Sequence, residues 1–228
     1  MCKGVNCKIQ MIAEHDGFRY KTNDAVFYNS INQGRSEPYL RELDVVKKYL
    51  SIYPERNNTF IDVGGHIGTT SFPYGKLYNN VIAYEPNPES YSFFLENIKL
   101  NNSNHITVHN KGVYKKTTFC KVVPHAGGNS GCFYIRESND GIPVVRLDDE
   151  EIKNKVDFIK IDTEGSELYV LEGAVELIKR DKPLINIETT GLSEKHFGYS
   201  ERFILDFLNY LGYEQFDDDN TNPFFYCK

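Results

Sequence analysis

Phe60-Ile61-Asp62-Val63-Gly64-Gly65-His66-Ile67-Gly68-Thr69-Thr70-Ser71 reads as a short buried strand that runs straight into a glycine-rich turn and then a helix. In an open parallel sheet, ligands settle at the carboxyl ends of the strands, where strand order reverses. A turn of small residues at that point lets a ligand approach the backbone closely. Glycines at 64, 65 and 68 do not give the G-x-G-x-x-G spacing that cradles a pyrophosphate; the pattern is Asp-x-Gly-x-x-x-Gly. The spacing alone therefore predicts a cofactor turn without naming the ligand. Glu85 follows at the end of the next strand, Val81-Ile82-Ala83-Tyr84, where a carboxylate can accept hydrogen bonds from both hydroxyls of a ribose.

Outward from this stretch the pattern alternates. Tyr39 to Tyr53 carries Leu40, Leu43, Val46 and Leu50 at helical spacing. Pro88 to Leu100 forms a second helix behind a Pro-Glu opening, and Ile106 to His109 a third strand. Lys111 to Arg146 breaks the rhythm: Thr118 to Val123, Cys132 to Ile135 and Pro143 to Arg146 suggest an inserted hairpin or meander. Alternation resumes with strand Val156 to Ile161, helix Ser166 to Lys179, strand Leu184 to Glu188, helix Glu201 to Leu211 and strands near Tyr213 to Phe216 and Phe224 to Cys227. Repeated β-α units imply a parallel sheet with helices on both faces and an antiparallel end. Residues 1–38 read as an N-terminal extension packed beside one domain over 39–228, and Arg35 and Glu37 are expected to fold over its cleft.

With 228 residues, 40% of them hydrophobic, the chain can fill one such core. A net charge of -6 argues against a protein built to neutralise nucleic-acid phosphates. The five cysteines (Cys2, Cys7, Cys120, Cys132, Cys227) are scattered and read as reduced thiols. Charges within Met1 to Asp16 leave no secretory h-region, and no apolar run suits a bilayer, so a cytoplasmic location is expected.

The chain resembles the FkbM-type methyltransferases. Phe60 to Gly68 is similar to that family's Asp-Val-Gly-Ala-Asn-Ile-Gly motif, with Gly65-His66 in place of Ala-Asn, and Ala83-Tyr84-Glu85-Pro86-Asn87 is similar to its Phe-Glu-Pro segment. Asp157-Phe158-Ile159-Lys160-Ile161-Asp162-Thr163-Glu164-Gly165-Ser166-Glu167 resembles its Lys-Ile-Asp-x-Glu-Gly-x-Glu signature, with Thr163 where Val is common. The resemblance runs from about Thr59 to Glu188. It implies an α/β fold with a Rossmann-like seven-stranded sheet, antiparallel at its C-terminal edge. It also implies S-adenosylmethionine as cofactor, held by Asp62, Gly64, Gly65, His66, Gly68, Thr69, Glu85, Pro86, Asn87, Gly112 and Asp162. Members methylate hydroxyls of sugars and natural products, so the implied partner is a carbohydrate or glycan acceptor.

A hydroxyl needs a base to take its proton, or a divalent metal to acidify it. Asp162 and Glu164 follow the fourth strand and Glu188 ends the fifth, which should aim all three at the cleft. Asp162 and Glu188, with His196 from the loop beyond, are the expected catalytic residues, and His125 is a weaker candidate. Asp162 could instead hold the Thr163 to Ser166 turn. Four other readings stay open: a non-sugar natural-product acceptor, an RNA ribose acceptor (from a loose Lys160, Asp162, Lys179, Glu188 set), a nicotinamide enzyme, and a non-catalytic glycan-binding module.

Overall fold

The computed structural model describes residues 10–32, 37–125, 132–217 and 222–227. It opens with β1 (Met11–His15) and β2 (Phe18–Thr22), an antiparallel hairpin, then α1 (Ala25–Asn32) and α2 (Glu37–Ile52). The cofactor turn lies between β3 (Thr59–Val63) and α3 (Ser71–Gly75), followed by β4 (Asn80–Tyr84), α4 (Pro88–Leu100) and β5 (Ile106–His109). A separate four-stranded sheet comes next, made of β6 (Gly112–Val113), β7 (Thr118–Pro124), β8 (Phe133–Ser138) and β9 (Ile142–Val145). The chain then returns through β10 (Val156–Ile161), α5 (Glu167–Glu172), α6 (Val175–Asp181), β11 (Leu184–Ile187), α7 (Leu192–Phe197), α8 (Glu201–Tyr210), β12 (Tyr213–Asp217) and β13 (Phe224–Cys227).

The main sheet has seven strands in the order β12-β13-β11-β10-β3-β4-β5. The strands from β11 to β5 are parallel, while β13 and β12 pair antiparallel at the edge. This is the α/β sheet with an antiparallel C-terminal edge that the sequence implies. Alternation along each strand divides the core between two faces. Ile61, Ile159, Ile161, Ile185 and Ile187 face α5, α6 and α8 through Leu171, Ile178, Ile204 and Leu208. Phe60, Phe158, Leu184 and Phe224 face the other way, toward Val46 of α2 and Phe93 and Phe94 of α4. Phe60 and Phe158 are register partners with ring centres 4.8 Å apart, and each fully buried Phe contributes about 1.5–3 kcal/mol.

Two expectations need correction. The helix read as continuous from Ser166 to Lys179 is two helices, because the Tyr114 carbonyl lies 2.1 Å from where a side chain on Gly173 would begin and the Gly173 carbonyl is taken by Asp148 N–H. The strand read from Cys132 starts at Phe133, and the meander gains β6, which pairs parallel with β9. In the N-terminal stretch, Ala13, Phe18, Tyr20 and Ile31 are buried in the same core as Phe72 of α3. Cys120 is a buried free thiol, and Cys2 and Cys7 lie outside the described residues. Among the described residues, no helix is long and apolar enough to cross a membrane.

Candidate active site

Strand order reverses between β3 and β10, and a cavity of about 190 Å³ opens over the carboxyl ends of those two strands. The exits of β3 (Val63, Gly64), β4 (Tyr84, Glu85, Pro86) and β10 (Asp162, Thr163, Glu164) form its floor. Val122, Phe133 and Ile135 of the four-stranded sheet form one wall, and Phe27 of α1 closes another. Phe27 meets the His66 ring edge-on at 4.9 Å. Nothing in the sequence near Phe27 signalled that role, since only tertiary packing brings α1 to the turn.

The turn owes its shape to the protein around it. Gly64 has φ +90, and a side chain there would begin 1.8 Å from the Asp162 carbonyl oxygen, so only glycine lets β3 and β10 leave side by side. Gly65 and Gly68 lie against the Phe94 ring. His66 has φ +49, a left-handed conformation that Asn and His adopt more readily than most residues, which accounts for histidine where the family pattern has asparagine. Its backbone N–H donates to Glu85 Oε2 at 2.8 Å, and Asn87 N–H donates to Glu85 Oε1 at 2.7 Å. Glu85 therefore ties the turn to the end of β4 while keeping further lone pairs on both oxygens. Burial pushes its carboxyl up to about 8 against the pull of those two N–H groups.

Of the residues expected to hold a cofactor, Gly64, His66, Thr69, Glu85, Pro86, Gly112 and Asp162 line the cavity. Asp62 is buried beneath the turn, where it accepts from Ser71 Oγ at 2.5 Å and faces its register partner Lys160. Asn87 caps α4 by accepting from Glu89 N–H at 3.0 Å. Asp62, Gly65, Gly68 and Asn87 shape the site from outside the lining. Lys111, paired with Glu150 at 2.9 Å, lines the cavity without having been singled out in the sequence, while Lys160 lies outside the lining and reaches Asp162 from within the sheet.

Lys160 is 2% exposed and donates to Asp162 Oδ2 at 2.5 Å. Burial works against the Asp162 carboxylate, but the Lys160 ammonium and a hydrogen bond from Glu188 hold it below the ordinary range. Glu188 carries the proton of that bond: burial, then the Asp162 charge, pushes it up to about 10. Glu164 joins them, and carboxylate oxygens of Asp162, Glu164 and Glu188 all lie within 4.8 Å of one another. Burial, then the charges of Asp162 and Glu167, raise Glu164 to about 7, so it exchanges protons near neutrality. It sits at φ +55 in a turn held by Glu167, which accepts from Gly165 N–H at 2.8 Å and Thr163 N–H at 3.2 Å. Glu167, rather than Asp162, holds that turn.

His196 does not line the cavity. It stacks on Tyr134 with ring centres 4.2 Å apart and meets the His125 ring at 4.7 Å. Arg35 and the Glu37 side chain fall outside what the structure describes.

The methyltransferase FkbM domain matches residues 62–214, from the cofactor turn to β12. Methyltransferase 1 of Beauveria bassiana strain ARSEF 2860 is 26% identical over 157 residues, which are 56% of this chain and 63% of that protein. The crystal structure of methyltransferase FkbM from Methylobacillus flagellatus KT is 25% identical with a TM-score of 0.49, and covers 75% of this chain and 43% of that one. The chain thus spans less than two thirds of both proteins. TYW2 of M. jannaschii, solved in complex with AdoMet, is 15% identical with a TM-score of 0.50 over 97% of this chain and 85% of that one, a likeness of fold alone. Since the domain match takes in more than half of its residues, the chain belongs to the FkbM methyltransferase family.

Proposed function

We propose that this chain transfers a methyl group from S-adenosylmethionine to a hydroxyl of a sugar or glycan. The observation that carries the reading is one cavity lined both by Glu85 with Gly64, His66 and Thr69 of the turn and by Glu164, poised near neutrality. Glu85 takes the ribose hydroxyls, and the backbone at Gly64 and His66 takes the methionine end. When bound, the cofactor supplies an electrophilic methyl on a sulfonium. Glu164 accepts the acceptor's proton as the new oxygen–carbon bond forms, and Asp162, kept ionised by Lys160 and hydrogen-bonded by Glu188, fixes the floor beside it.

The acid cluster does not suit a divalent cation. The Lys160 ammonium sits on Asp162 Oδ2, so a cation bound there would have to displace a buried ion pair. Residues 1–38 act on this reading as an extension of one methyltransferase domain, closing the cavity through Phe27. The apolar wall of Val122, Phe133 and Ile135 favours a second reading, a natural product with an apolar body beside its hydroxyl. An RNA ribose is disfavoured, because Lys179 stands outside the cavity lining beside Glu176 at 3.7 Å.

The test is a mass-spectrometric screen with S-adenosylmethionine against mono- and oligosaccharides and hydroxylated aromatic compounds, run in EDTA, magnesium or manganese. One added methyl on a saccharide, equal in all three buffers, is the expected outcome. Transfer only to the aromatic set establishes the second reading. Cofactor binding without transfer to any acceptor makes the chain a binding module.

A further inference from the structure

The turn that brings Glu164 into the cavity also sets it against a pair of histidines outside the cavity lining. His125, just past β7, points Nε2 at Glu164 Oε2 across 3.7 Å, and its side chain is 11% exposed. That separation is longer than a hydrogen bond, and the buried Nε2 has no hydrogen-bond partner. His196 of α7 stands against His125 with its own Nε2 buried and unpartnered, and Tyr134 of β8 packs on both rings. An orphaned polar atom beside a carboxylate of the site calls for an explanation.

We infer that His125 is the proton outlet of the site, a positioning residue that takes from Glu164 the proton removed from the acceptor hydroxyl and releases it to water. The inference rests on the proposed methyl transfer to a hydroxyl. In each turnover the acceptor O–H bond breaks as its oxygen bonds the methyl carbon, and the sulfur–carbon electron pair returns to sulfur. The proton passes from the hydroxyl to Glu164 and then to His125 Nε2, and the imidazole, 11% exposed, gives up one of its protons to solvent. Glu164 is thereby a carboxylate again for the next acceptor.

The surroundings suit a carrier that does not keep its proton. His125 is faced by Glu164 from the β10–α5 turn, by Tyr134 from β8, and by His196 and Lys195 from α7. Burial, then the Lys195 charge, lowers the His125 imidazole. Burial, then His125, Lys195 and Arg136, lowers that of His196. Both shifts favour the uncharged ring, so a proton arriving at His125 is passed on rather than kept.

The closing experiment has two arms. Histidine ring nitrogens are titrated by NMR in the wild type and in Glu164→Gln. The His125 ring signals are expected to carry a step at the Glu164 midpoint near pH 7 in the wild type and to lose that step in Glu164→Gln. A His125 curve that is the same in the two proteins overturns the outlet and leaves the methyl-transfer reading intact, since this arm needs no acceptor. In the second arm, His125→Gln is assayed with the acceptor from the screen. The expected result is a kcat lowered roughly tenfold, an unchanged S-adenosylmethionine affinity by calorimetry, and recovery with added imidazole. Full turnover, or a loss that imidazole does not restore, overturns the proposal. A screen that finds no acceptor, with the NMR coupling intact, overturns the methyl-transfer reading and the outlet with it.

Discussion

Replacing Glu85 with glutamine tests the cofactor end of the site. In the wild type each carboxylate oxygen accepts one backbone N–H, from His66 at 2.8 Å and Asn87 at 2.7 Å, and keeps lone pairs for a ribose hydroxyl. Glutamine puts an NH2 group where one oxygen stood. That group cannot accept from either the backbone or the ribose. A charge-assisted hydrogen bond contributes about 1.5–3 kcal/mol, so losing one ribose bond should weaken S-adenosylmethionine binding roughly 10- to 150-fold. A protonation signature accompanies it. The empty site holds the Glu85 carboxyl up to about 8, while ribose hydroxyls donating to it favour the ionised form, so binding at pH 7 expels a proton. Affinity therefore improves as pH rises toward 8, and the calorimetric enthalpy varies with the ionisation enthalpy of the buffer. Circular dichroism of the variant controls for folding. An unchanged affinity in a folded Glu85→Gln protein, together with buffer-independent wild-type enthalpy, would refute the assignment of Glu85 to the ribose.

Two further outcomes follow from the same geometry. Glu164 is raised to about 7, so wild-type turnover should climb through a midpoint near pH 7 as the carboxylate forms; Glu164→Gln should lose about 10²- to 10⁴-fold in kcat and that pH limb while retaining cofactor affinity, and a limb that persists in the variant removes Glu164 as the base. Gly64→Ala drives a methyl into the Asp162 carbonyl at φ +90 and should cost more than about 2 kcal/mol in urea unfolding; a wild-type midpoint would mean that the two strand exits are less tightly abutted than described.

The central sheet was legible because each of its strands carries its own signal. Thr59 to Val63, Val156 to Ile161 and Leu184 to Ile187 are short, mostly apolar runs closed by turn residues, the composition that burial on both faces favours. The Asp162, Glu164 and Glu188 cluster was legible for a related reason: strand ends at a switch point converge by topology, whatever their side chains are. That the order reverses between β3 and β10 is decided by the fold, since β-α alternation leaves strand order open.

Contacts between segments distant in sequence were not legible. Phe27 reaches the cavity because the β1–β2 hairpin packs on α3 and α4, and the apolar wall reaches it because β7 and β8 of the small sheet come to rest beside the strand exits. His125 and His196 lie 71 positions apart, and their meeting beside Glu164 depends on where β7 and α7 come to rest. The amino-acid sequence by itself determined the sheet, the cofactor turn and the acids at its strand ends, since periodicity and glycine placement are local properties. Only the tertiary structure decided what encloses the cavity, which acid holds its proton and which histidine stands behind it, since burial and charge proximity come from packing between elements that share no local code.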